Sequence, residues 1–150
     1  MGASSVFYGN YQVTLDPKGR ISVPARFREI LNAKASTQIV ITFLEGCLLA
    51  YPMDKWQEVL RRTETLATSQ PDVRTFLRIF HSRASECQVD RQGRILIPEN
   101  LRERAGLEKE VFIVGVGQKF EIWSRLRWDQ DVEPAEERVV EIARVADIRF

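Results

Sequence analysis

The stretch Leu-Asp-Pro-Lys-Gly-Arg-Ile-Ser-Val-Pro at residues 15–24 returns as Val-Asp-Arg-Gln-Gly-Arg-Ile-Leu-Ile-Pro at residues 89–98. Asp16, Gly19, Arg20, Ile21 and Pro24 recur at an offset of 74 as Asp90, Gly93, Arg94, Ile95 and Pro98. Further on, Leu48, Tyr51 and Trp56 match Phe120, Trp123 and Trp128 at an offset of 72, so the copies differ by a two-residue indel. An internal repeat of this length constrains the fold more than any single residue does. Copy 1 spans residues 7–68 and copy 2 residues 84–145, with residues 69–83 between them. A unit of about 60 residues with short strands buries little surface alone. Two copies can instead pack as a pseudo-dimer, each supplying half of a small barrel or sandwich. Exposed strand edges would then remain, and such edges invite further assembly.

Within copy 1, Tyr11, Val13 and Leu15 alternate with Gln12, Thr14 and Asp16, the period-two pattern of a half-buried strand. Pro17-Lys18-Gly19 supplies turn chemistry, because Pro presets φ and Gly permits positive φ. Arg20 to Val23 continue the alternation on a second short strand. Pro24 suits the first turn of a helix, where no backbone N–H is needed, and Phe27, Ile30 and Leu31 give that helix an apolar side. Residues 38–44 and 47–51 read as strands, and Asp54 is placed to cap a helix carrying Trp56, Val59 and Leu60. Copy 2 repeats the plan. Cys87 and Val89 alternate with polar neighbours, a turn at residues 91–93 leads to a strand over 94–97, and Pro98 starts a helix that Gly106 ends. Residues 111–114 and 120–123 are strands joined by a hairpin turn at Gly115-Val116-Gly117. Residues 125–146 are helical with a break at Pro134. Between the copies, Pro71 and Asp72 mark a helix start, and Val73, Phe76, Leu77 and Phe80 follow helical spacing.

An enzyme is not expected. His81 is the single histidine, and it sits beside the apolar run of the linker helix, where a structural role fits. No catalytic set, phosphate-binding glycine loop or metal-spaced His/Cys group occurs, so catalytic residues, cofactors and metals are all read as none. Asp16 and Asp90 each have an Arg four positions on, and a cation so close makes a carboxylate a poor general base. The two cysteines, Cys47 and Cys87, read as buried free thiols. No stretch approaches the ~20 apolar residues of a membrane span. With no targeting signal apparent, a cytoplasmic location is expected, and residues 1–5 read as a flexible end or an added remnant.

The Asp-x-x-x-Arg pairs make better sense as support for the arginines. The Asp16 carboxylate can bond turn N–H groups or orient Arg20. A held guanidinium is prepared for two-pronged contact with phosphate or a guanine edge. Lys18 at the turn tip, with Arg26 and Arg28 after it, adds charge; in copy 2, Arg91, Arg94, Arg102 and Arg104 do the same. A single Asp–Arg pair could merely stiffen a hairpin, but two with the same Asp, Gly and Arg favour a shared working surface. The formal net charge of +1 argues mildly against nucleic acid. That charge is uneven, however: basic residues exceed acidic ones over 1–104, and the reverse holds over 105–150.

The two Asp-x-x-x-Arg motifs carry a resemblance, together with Tyr8-Gly9-Asn10, residues 48–51, Ala84-Ser85-Glu86-Cys87-Gln88 and Lys119-Phe120-Glu121-Ile122-Trp123. Across residues 7–145 the chain resembles the MraZ family of bacterial transcriptional regulators. The resemblance implies an α+β fold of two tandem AbrB-like swapped-hairpin units, forming a small β-barrel-like pseudo-dimer with flanking helices. It implies homo-oligomers closed into rings and a nucleoid-associated protein. It also implies binding to double-stranded DNA at G-rich direct repeats ahead of the cell-division and cell-wall genes, including the protein's own operon. Arg20 is the DNA contact it points to first, with Lys18 in the same loop, and Arg94 and Arg91 in the second; Asp16, Gly19, Asp90 and Gly93 support them. Leu96 departs from the pattern, standing where copy 1 has Ser22, which points to copy 1 as the main DNA reader and to protein contact for copy 2. The rival expectation is a protein-interaction module of the AbrB-like antitoxin type.

Overall fold

In the computed structural model, which describes residues 6–34, 37–66 and 68–150, the alternating segment forms strand β1 (Asn10–Thr14), with Tyr11 and Val13 turned toward the core. Copy 1 continues through β2 (Arg20–Ser22), α1 (Ala25–Ala33), β3 (Gln38–Leu44), β4 (Cys47–Pro52) and α2 (Met53–Glu64). The helix α3 (Pro71–Ser82) leads into β5 (Ser85–Gln88), β6 (Arg94–Leu96), α4 (Glu99–Arg104), β7 (Glu110–Gly115) and β8 (Phe120–Ser124). The chain then runs through a short α5 (Arg125–Arg127), a π-helical turn (Trp128–Val132), a 3-10 stretch (Glu133–Arg138) and α6 (Val139–Val145). Pro134 lies in the 3-10 stretch, because it cannot donate to the α-helical ladder. The expectation for residues 1–5 falls outside the described residues.

The strand pairing interleaves the two copies. A six-stranded antiparallel sheet runs β1-β7-β8-β4-β3-β5, and β2 pairs separately with β6. Thus β1 of copy 1 lies on β7 of copy 2, and β5 of copy 2 lies on β3 of copy 1. The registers respect the repeat. Val13 opposite Val111 is matched by Cys87 opposite Ile39. In the β4–β8 pair, Leu49 faces its own counterpart Glu121; in the β2–β6 pair, Ile21 faces Ile95. Exchanging the copies therefore maps each pairing onto another, as a pseudo-twofold axis requires. The expected barrel is corrected: among the described residues the main sheet is open, with β1 and β5 at its edges.

Both faces of this sheet are covered, which explains why β4 is an unbroken apolar run, with every residue buried. One face packs Ile39, Ile41, Leu48, Ala50, Val111, Ile113, Phe120 and Ile122 against α1, α4 and the β2–β6 pair. The other packs Val40, Leu49, Tyr51 and Trp123 with Trp56 of α2 and Phe80 of α3. Buried Thr42 donates its hydroxyl hydrogen to the Phe80 carbonyl at 2.9 Å, so that hydroxyl is satisfied, whereas the nearby His81 Nε2 is buried with no hydrogen-bond partner among the described residues. His81 packs beside the Trp56 and Phe80 rings, matching its structural reading. Asp54 does not cap α2 as expected. The helix begins one residue earlier with no side-chain cap, and the Asp54 carboxylate accepts instead from Lys34 Nζ at 2.9 Å.

An aromatic cluster ties the copies together. Phe27 of α1 is fully buried and lies 5.0 Å from Phe7, 5.3 Å from Tyr11 and 5.2 Å from Phe120 of the other copy, measured between ring centroids. Phe27→Ala is expected to cost about 3–5 kcal/mol, the usual range for a buried Phe replaced by Ala. Urea unfolding would read this as a lower midpoint with an unchanged slope.

Candidate nucleic-acid interface

The β2–β6 pair is a short antiparallel ribbon standing apart from the main sheet. Ile21 and Ile95 at its centre are buried, so period two turns Arg20, Ser22, Arg94 and Leu96 to the opposite face. Arg20 lies across from Leu96 and Arg94 across from Ser22. The two arginines thus share one surface, and Leu96, 57% exposed, stands directly across from Arg20 on that same surface rather than on a separate copy-2 face. The ribbon is extended at each end by the opposite turn. Val23 N–H donates to the Gly93 carbonyl at 2.8 Å, and Ile97 N–H to the Gly19 carbonyl at 2.9 Å.

Each turn is built around its aspartate. In copy 1 the Gly19 N–H donates to the Asp16 carbonyl at 2.9 Å, closing the turn. Asp16 Oδ1 accepts from the Lys18 and Arg20 N–H groups, both at 2.9 Å, and Oδ2 accepts from Arg20 Nε at 2.7 Å. The carboxylate therefore does both things the sequence left open: it bonds the turn and orients the arginine. In copy 2, Asp90 Oδ1 accepts from Gln92 and Arg94 N–H at 2.8 and 3.0 Å. Its ion pair with Arg94 Nε is looser, at 3.6 Å, because Arg94 Nη2 donates to the Gln92 side-chain oxygen. The exchange of Lys18 for Gln92 thus leaves Arg20 locked to its aspartate and draws Arg94 partly away. The backbone N–H of Arg20, then its guanidinium, hold the Asp16 carboxyl below its ordinary range, and the Arg94 N–H does the same for Asp90. Both remain ionised at neutral pH and keep their acceptor roles.

Gly19 and Gly93 take positive φ, 89° and 77°, as the turns require. Their missing side chains also leave room for an arginine from the other copy. A Cβ on Gly19 would lie 2.5 Å from Arg102 Cζ, and one on Gly93 would lie 2.7 Å from Arg28 Cδ. Arg28 and Arg102 are counterparts in the repeat, so each copy's helix lays an arginine over the other copy's turn. Both Nε atoms are buried with no hydrogen-bond partner among the described residues. Sequence reasoning counted these two as nearby charge only. Their shared offset of 74 from each other, the same as that of the motif arginines, is the signal that marks them.

Lys18 and Arg91 are exposed beside their turns. Arg26 faces Glu29 at 3.5 Å, and the Arg104 carbonyl accepts from Arg127 at 2.7 Å; neither has a described contact with the turns. Cys47 and Cys87 are buried and unpaired. Burial pushes both thiols up, reinforced at Cys47 by the Glu121 and Glu45 charges and opposed at Cys87 by a hydrogen bond to Ser85. Among the described residues no helix is long and apolar enough to cross a membrane.

Fold and site together define a tandem-repeat protein of interleaved halves that presents a cationic two-stranded ribbon. The family model described as "MraZ protein, putative antitoxin-like" matches residues 6–79 and again 80–147. The chain is 49% identical to the transcriptional regulator MraZ of Moorella thermoacetica, over 83% of this chain and 85% of that protein. It is 45% identical to the protein of the same name from Heliobacterium modesticaldum, over 92% and 94% of the two chains. With that of Pelotomaculum thermopropionicum it shares 43% identity over 97% and 99%. The chain belongs to the MraZ family.

Proposed function

We propose that this chain is a sequence-specific, DNA-binding transcriptional regulator, not an enzyme. The observation that carries this reading is the β2–β6 ribbon with Arg20 and Arg94 on one outward face. A two-stranded ribbon fits the major groove of B-DNA, and a guanidinium can read the O6 and N7 of guanine there. The relatives named as transcriptional regulators agree with this role. The finer reading is a homo-oligomer, a closed ring, acting at the nucleoid in the cytoplasm. It engages G-rich direct repeats ahead of the cell-division and cell-wall genes, its own operon included. The unit boundaries proposed are 7–68 and 84–145, joined by 69–83, each unit being of the swapped-hairpin type that the crossed pairing supports.

Apolar side chains of the C-terminal segment support self-association: Val139, Ile142, Val145, Ile148 and Phe150 are all exposed. Repeated ribbons in an oligomer would engage spaced repeats together, and avidity would offset a weak patch on each chain. That accounts for a regulator with a net charge of only +1. The test is retention on DNA from the protein's own upstream region, titrated with salt. Affinity should fall with a log–log slope of about −0.9 per phosphate neutralised, and light scattering should report an oligomer. Absence of binding even at low salt would sink the proposal and favour a protein-interaction module of the antitoxin type.

A further inference from the structure

The repeat places a pocket beside each turn, and the two pockets are counterparts in position but opposite in charge. Beside the copy-2 turn, a cavity of about 380 Å³ is lined by Arg28 and Arg91 with Asn32, Thr37 and Gln88. Its one carboxylate, Asp90, is already bonded to the turn N–H groups. Beside the copy-1 turn, a cavity of about 310 Å³ is lined by Arg102 with Glu99, Glu103 and Glu108. The differences arise at matched positions: Arg91 stands where copy 1 has Pro17, and Glu99 where copy 1 has Ala25. Arg28 is held over Gly93 from the opposite copy, with its buried Nε unpartnered among the described residues.

We infer that the pocket formed by Arg28, Arg91, Asn32, Thr37 and Gln88 is a phosphate subsite for the nucleic-acid backbone, and that its acidic counterpart repels the backbone. Two cations from different copies converge on it, Asn32 supplies N–H donors, and Gln88 Nε2, which donates to Thr37 Oγ1 at 3.3 Å, leaves the Thr37 hydroxyl hydrogen to donate into the pocket. A duplex lying on the ribbon would therefore sit off the pseudo-twofold axis, with one strand's phosphates against the copy-2 turn. The acidic pocket imposes the same choice from the other side, since three carboxylates near a phosphate are repulsive. This gives a nearly symmetric ribbon a preferred direction along the DNA. Direct repeats, unlike palindromes, require that kind of direction from each subunit, because successive sites point the same way.

Because the subsite rests on the DNA-binding role proposed above, Arg20→Ala runs alongside as a control for that role. Arg91 is exposed, so Arg91→Gln is expected to leave the fold intact. In fluorescence anisotropy with duplex from the upstream region, Arg91→Gln is expected to weaken binding several-fold. The loss should be similar for specific and unrelated sequences, with the salt slope shallower by about one per engaged subunit. Replacing single phosphates by neutral methylphosphonates should locate one position whose loss weakens the wild type and leaves Arg91→Gln unaffected. Glu108→Gln should change the slope little. Unchanged affinity and slope for Arg91→Gln, while Arg20→Ala loses binding, would overturn the subsite and leave the DNA-binding role standing. A slope steepened by Glu108→Gln as much as Arg91→Gln flattens it would show DNA spanning both pockets evenly, and the off-axis placement would fall. No binding by the wild type would remove the role itself.

Discussion

Replacing Arg20 with alanine is expected to abolish the specific DNA binding proposed above while leaving the fold and the proposed self-association unchanged. The fold should survive because the buried work of β2 is done by Ile21, 1% exposed. The Arg20 side chain meets only Asp16 in the described contacts. Asp16 also keeps its two backbone donors, the N–H groups of residues 18 and 20, so the turn stays closed. The lost interaction is a two-pronged one, worth about 1–3 kcal/mol of discrimination per site, or roughly fivefold to 150-fold. In an oligomer that engages several repeats at once the losses multiply. Arg20→Lys should not restore specificity, because an ammonium lacks the planar fork and would leave Asp16 Oδ2 without its Nε donor. Arg94→Ala should do less, since Arg94 is shared between Asp90 and Gln92 and is less rigidly aimed. Gel shift with and without excess unrelated DNA, alongside light scattering, reads all three. Full specific affinity in Arg20→Ala would refute its role.

Much of this was legible in the sequence because the repeat supplied two readings of each element. Alternation at residues 11–16 gave β1, and Pro24, Pro71 and Pro98 marked helix starts within a residue of where α1, α3 and α4 begin. Asp16 and Asp90 were recognisable as supports because Gly and Arg stood at fixed distances in both copies. What the sequence hid is which strand pairs with which. Period-two patterning specifies a face, not a neighbour, so the crossing of β1 to β7 and β5 to β3 left no local mark. The open sheet, where a barrel was expected, follows from the same blindness. The Asp54 error has a different cause: a capping residue was read from type alone, while Lys34, distant in sequence, claimed the carboxylate. Arg28 and Arg102 were hidden for a related reason, since an arginine on a helix gives no sign that it reaches across to another copy's glycine.

Neither half of the chain should fold by itself as a monomer. A protein ending at residue 68 would retain only the β3–β4 hairpin among its strand pairings. Its β1 would lose β7, β2 would lose β6, β3 would lose β5 and β4 would lose β8. An isolated two-stranded hairpin is marginal in water, and about 60 residues bury too little surface to make up the deficit. The core tells the same story. Phe27 would lose Phe120, and Ile21, Val23 and Leu31 would face water where Ile95, Ile97, Leu101 and Ala105 now pack. The one escape is self-pairing. The β2 register is centred on Ile21, so two copies of the first half could pair Ile21 with Ile21 and rebuild the pseudo-dimer as a true dimer. Its melting temperature would then rise with protein concentration. Circular dichroism of the fragment is therefore expected to show either an unfolded chain or a concentration-dependent transition, while the whole chain should not depend on pairing with a separate half to fold. Mixing the two fragments should restore β-structure that neither holds alone at the same dilution. A first-half fragment that remains monomeric yet unfolds cooperatively would contradict the interleaved pairing and the shared core on which the cationic ribbon is mounted.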